Sequence, residues 1–138
     1  MSAHPSGWRL GRSVLAVFAG LLVNVIPAVA IDGLLHATGV FPPMSVRMSD
    51  GLLGLAASYR LLLGILGAYA TARLAPRRPI MHALVLGSVG VAMCTAGAIA
   101  MRDTGPAWYP ISLIVLTIPC SLLGATFAGK GRAVSTVD

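Results

Sequence analysis

The chain has 138 residues, 57% of them hydrophobic and 10% charged, with a mean hydropathy of +0.86. Soluble domains carry about 25% charged residues, so this composition argues against a water-soluble fold and for one small domain immersed in a membrane. The net charge of +6 does not mark a nucleic-acid surface, because the cations fall between hydrophobic runs, where they act as topology signals and headgroup contacts.

In chain order, residues 1–12 are polar and basic, with Trp8 placed for an interface. The first apolar run spans 13–35 and contains Asn24, Pro27 and Asp32. Arg9, Arg12 and Ala28-Val29-Ala30 also fit a secretory signal cleaved after Ala30. Asn24 interrupts that core, and the run continues through Ile31, Leu34 and Leu35, so a retained helix is favoured. A loop follows, containing TGVFPP, Arg47 and Asp50. Residues 51–74 form a second run long enough to span at about 1.5 Å per residue. Pro76 and Pro79 enclose an Arg77-Arg78 turn, and Pro79 suits the first position of a third helix, 80–101. The RDTGP loop leads to a fourth helix, 107–128, opening on the interfacial pair Trp108-Tyr109. Residues 129–138 read as a short, frayed basic tail.

The fold expected is an all-α integral membrane protein, its four transmembrane helices forming two hairpins in one bundle over residues 1–138. The loops ATGVFPP and DTGPAWYP echo each other, which suits two related hairpins. One side would collect Arg9, Arg12, Arg73, Arg77, Arg78, Lys130 and Arg132, against Arg47 and Arg102 on the other. That bias places both termini in the cytoplasm and argues against dual topology. Small residues mark packing seams: Gly64, Ala68 and Ala72; Gly90, Cys94 and Ala98; Gly124 and Ala128.

Few residues can carry chemistry. Arg60, counted back from Arg73, lies roughly 20 Å deep, where an arginine costs about 2.5–3.5 kcal/mol on insertion scales. It must therefore face the bundle and find acceptors, or snorkel. Asn24, counted from Arg12, lies at roughly 18 Å, and Asp32 about 10 Å higher. Thr117 and Ser88 could approach the same layer, and Pro27 frees the Val23 carbonyl there. The polar cluster expected is Asn24, Asp32, Arg60 and Thr117, acting as a register clamp or as a site for an anion or proton. Arg73, Arg77, Arg78 and His82 form a basic anchor for anionic lipid headgroups, or a docking patch. His36 belongs to the opposite surface, so the two histidines cannot share a metal. Cys94 and Cys120 read as packing residues, with no metal spacing around them. No Ser/His/Asp set, HExxH, phosphate loop, dinucleotide motif or carboxylate pair is present, so neither an enzyme nor a cofactor is expected.

Tyr59-Arg60, the ARLAPRRP segment at 72–79, His82-Ala83, Leu86-Gly87 and TGPAWYP at 104–110 together resemble a family of small four-helix bacterial inner-membrane proteins without assigned activity. The resemblance covers most of the chain. It implies the architecture and a tight turn between the second and third helices, but no substrate or catalytic residue. The Arg-, Ala- and Gly-rich composition suits a GC-rich bacterial genome. Small multidrug transporters match in size but rest on a glutamate in their first helix, and this chain has none. Two functions are expected: an accessory, assembly or envelope module working through helix contacts, as a homo-oligomer or within a larger membrane complex, or a small homo-oligomeric transporter or channel built on Arg60, Asn24 and Asp32.

Overall fold

The computed structural model describes residues 6–134. They form four helices: α1 (Ser6–Ala37), α2 (Asp50–Leu74), α3 (Pro79–Ala100) and α4 (Trp108–Val134). All four are long and apolar enough to cross a membrane. Their outward faces carry large exposed apolar side chains, among them Leu15, Phe18, Leu62, Leu66, Ile99 and Val115. A soluble protein could not sustain so continuous an apolar surface.

Local chemistry sets the helix ends. Thr38 N–H donates to the Leu34 carbonyl, and Gly39 takes the left-handed conformation (φ 75°) that closes α1. Ser49 caps α2 through its hydroxyl, and Asp50 adds a negative charge to the positive end of that helix. Ala75 is extended because Pro76 follows it, and Pro79 opens α3 as expected. Between them Arg78 takes φ 48°, the one non-glycine residue with positive φ among those described.

Two boundaries differ from expectation. Helix α1 begins at Ser6 rather than near residue 13, and α4 runs to Val134 instead of fraying after 128. In both places the polar residues extend the helix beyond the apolar stretch. Residues 1–5 and 135–138, the outermost parts of the polar start and basic tail, lie outside the described residues.

The hairpins α1–α2 and α3–α4 join through a parallel α2–α4 seam, the most extensive contact in the bundle. Helix α1 also touches α3 lightly, and α2 touches α3 across the centre, whereas α1 and α4 do not meet among the described residues. The core is made of small side chains, Ala68, Ala72, Ala83, Ala125 and Ala128 with Leu86, at the end that carries both termini. In lipid, where hydrophobic drive is absent, such close backbone approach supplies the attraction. Gly20 faces Gly67 and Thr71 so closely that a Cβ on either glycine would strike the other's carbonyl. Gly124 meets Ala68, Gly87 meets Ser121, and Gly90 meets Thr117.

The expected seams are thus corrected in part. Ala68, Ala72, Gly90, Gly124 and Ala128 pack as anticipated, but Gly64 has nothing near its missing Cβ. Cys94 and Ala98 are only half-buried. The contacts belong instead to Gly67 and Thr71 one face over, and to Ala83, Leu86 and Gly87 earlier in α3.

Gly124→Ala should lower stability in detergent by about 1–3 kcal/mol, since its Cβ would come within 2.8 Å of the Tyr69 amide nitrogen. Gly64→Ala should leave unfolding unchanged or raise its midpoint. Arg78→Gly should raise the thermal midpoint by relieving the left-handed backbone, while Arg77→Gly should not.

Candidate functional site

The polar centre lies toward the loop end of the bundle, where α1 ends and α2 begins. Arg60 stands ten residues into α2 from Asp50, about 15 Å down the helix. Helical side chains lean toward their own N-terminus, so the guanidinium rises toward the loop end. Asp32, five residues before the end of α1 at Ala37, meets it there: Arg60 Nη2 donates to Asp32 Oδ2. The hydroxyl of Tyr59 donates to the other oxygen, Oδ1. Both carboxylate oxygens are thereby engaged by adjacent residues of one neighbouring helix. The Asp32 side chain is 26% exposed and that of Arg60 40%, and Arg60 Nε is buried without an acceptor.

A shell of polar contacts surrounds this centre at the loop end. His36 Nδ1 lies 2.8 Å from the Asp32 carbonyl oxygen, and the His36 ring stands edge-on to buried Phe41. The indole N–H of Trp108 donates to Asp50 Oδ1 at 3.2 Å, tying the starts of α2 and α4 together. Arg102 pairs with its exposed neighbour Asp103.

The other expected members of the cluster lie elsewhere. Asn24 sits opposite Gly67, about two turns below Asp32. The Gly20–Gly67 contact sets this register, and it carries Arg12 past the end of α2. Counting depth as though Arg12 and Arg73 shared one plane therefore placed Asn24 too high and Asp32 too far from Arg60. Thr117 is near the height of Arg60 but faces away: its methyl packs on Gly90 and its hydroxyl donates to the Leu113 carbonyl at 2.6 Å. Ser88 is exposed and bonds to its own helix at Leu84. The missed member is Tyr59. Its hydroxyl beside an internal arginine was the available signal, since a phenol in hydrocarbon needs a partner as much as a guanidinium does.

At the end carrying the termini, the basic residues come from α2, the turn after it and the start of α3. Arg73 lies over the Tyr69 ring at 5.8 Å and reaches toward Gly131 on α4. Arg77 and Arg78 project from the turn, and His82 contacts that turn, with Nδ1 3.1 Å from the Arg78 carbonyl oxygen. Both cysteines are free, Cys120 buried and Cys94 half-buried. Among the described residues no three His, Cys, Asp or Glu side chains come together as a metal site would require.

Chemically, the Asp32–Tyr59–Arg60 group neutralises an arginine within the span and fastens α1 to α2. No family model matches the chain, and no curated protein or solved structure shows significant similarity to it.

Asp32→Asn should destabilise the folded protein by about 1.5–3 kcal/mol, the range for hydrogen bonds to charged groups. Tyr59→Phe should cost about 1 kcal/mol. A double-mutant cycle of Asp32→Asn with Arg60→Gln should be strongly non-additive in detergent unfolding.

Proposed function

We propose that this chain is a non-enzymatic module of a bacterial inner membrane, serving a larger assembly or the envelope through helix–helix contact. Both termini lie in the cytoplasm in this reading, following the excess of arginine at their end. The observation that carries the proposal is that the acid of the polar centre is already partnered within the chain. Each Asp32 carboxylate oxygen already accepts a hydrogen bond, one from Tyr59 and one from Arg60, and none of the three residues lines the α1–α3 cleft or the loop-end cleft beside Arg47 and Asp103. A group satisfied by its own neighbours serves as a clamp, and what remains for partners is the broad apolar exterior. The resemblance to small four-helix inner-membrane proteins supports the membrane placement in this reading.

A second reading has one observation in its favour. Arg60 keeps a buried, unpartnered Nε and a partly exposed side chain, as a site for an anionic solute would require. In that version the protein is a homo-oligomeric transporter or channel, because four helices of this size rarely enclose a path alone. Asn24 would stand apart from such a site, two turns away.

Native mass spectrometry of the protein released gently from its own membrane tests the proposal. A second polypeptide in the particle is the expected result. A homo-oligomer retaining a small non-lipid solute, with flux into liposomes abolished by Arg60→Gln in a folded protein, would overturn it in favour of transport. Reporter fusions at both ends should report the cytoplasm; a periplasmic C-terminus would refute the orientation.

A further inference from the structure

Helices α1 and α3 touch less than any other contacting pair, and at the end carrying the termini they part to leave a cleft of about 300 Å³. Its walls are Val14 and Val17 from α1 and Met81 and Val85 from α3, with Ser13 and His82 beside them. Val14, Met81 and Val85 are each more than half exposed, so the cleft opens sideways onto the surface that hydrocarbon would cover. Cations adjoin the lining residues on both walls. Arg12 precedes Ser13 on α1, and Arg78 caps α3 one turn before His82. Arg12 and Arg78 form no ion pair among the described residues, and no described acid lies at this end: Asp32, Asp50 and Asp103 all belong to the other.

We propose that this cleft is a discrete binding site for one anionic diacyl phospholipid, with an acyl chain between Val14, Val17 and Val85 and the phosphate held at Arg12, Arg78 and His82. The division of the site into an apolar slot and a cationic rim is the division within a phospholipid. A free phosphate would leave the slot unused. A second copy of the chain would bring its own basic end against this one, and like charges oppose that contact. A zwitterionic lipid fills the slot equally but neutralises the rim less well. Arginine beside an anionic headgroup is a recurring recognition mode between transmembrane helices. The site goes beyond a general attraction of basic residues to the membrane surface, and it rests on reading this end as lying at headgroup level.

The experiment is lipid retention by the full chain. Protein purified in detergent and depleted of lipid is mixed with equal amounts of phosphatidylglycerol and phosphatidylcholine, then examined by native mass spectrometry and thermal unfolding. One phosphatidylglycerol retained per chain, in preference to phosphatidylcholine, is expected. Arg12→Gln and Arg78→Gln should each weaken retention about fivefold, whereas Arg47→Gln at the opposite end should not change it. Val85→Trp, at an exposed position, should fill the slot and abolish retention while the protein stays folded. Equal retention of the two lipids by the unaltered protein would overturn the proposal, with no variant needed. So would full retention by folded Val85→Trp, which would reduce the effect to surface charge, or equal stabilisation by inorganic phosphate. None of these results would displace the cytoplasmic placement of the termini, which the reporter fusions test separately.

Discussion

An arginine within a membrane span dictates much of what surrounds it. Arg60 cannot stay in hydrocarbon as an isolated charge without a cost of a few kcal/mol, and an anion on a neighbouring helix at the right height removes that cost. Asp32 does so from α1, and the Tyr59 hydroxyl completes the carboxylate's second side. This single connection fixes which face of α2 turns to α1. It also fixes the vertical register of the hairpin, since a slip of one turn in either helix would separate the charges by about 5 Å.

Close packing carries that register through the rest of the bundle. Below the ion pair, Gly20 and Gly67 bring the two backbones into contact, and below them the alanine-rich core takes over. The parallel helices α2 and α4 share this core at the end with the termini, and Trp108 joins Asp50 at the other. The bundle is therefore held at both ends by different means, dispersion between small residues at one and polar bonds at the other. In lipid each of these terms acts without the hydrophobic effect that dominates soluble cores. Shape complementarity at Gly67, Gly87 and Gly124 accordingly counts for more than side-chain bulk.

The architecture was legible in the sequence because hydrophobic run length and proline placement are local signals. Four spans, the Pro76–Pro79 turn and the α3 start at Pro79 follow from them directly. The need of Arg60 for an acceptor was equally plain, and Asp32 was the one anion within the spans. What the sequence did not hold was the offset between neighbouring helices. Depth counted from Arg12 assumed that flanking arginines share a plane, whereas α1 extends well past the end of α2. Asn24 was misplaced for that reason, and Thr117, at the right height, was misdirected because facing depends on α3 passing behind it at Gly90. Gly64 and Gly67 differ by less than one turn, and spacing alone could not tell which of them meets a neighbour.

The ion pair also bears on how the chain enters a bilayer. Helix α2 is the least hydropathic of the four and carries the internal arginine, so as a lone segment it is the poorest candidate for partition into lipid. Its counter-charge is made 28 residues earlier, on a strongly apolar helix that is complete before α2 leaves the ribosome. The Arg60–Asp32 pairing lets α1 and α2 partition as one hairpin, with α1 supplying the charge that neutralises the arginine of α2. The α3–α4 hairpin has no charge within its apolar stretch to shelter, and can follow on hydropathy alone.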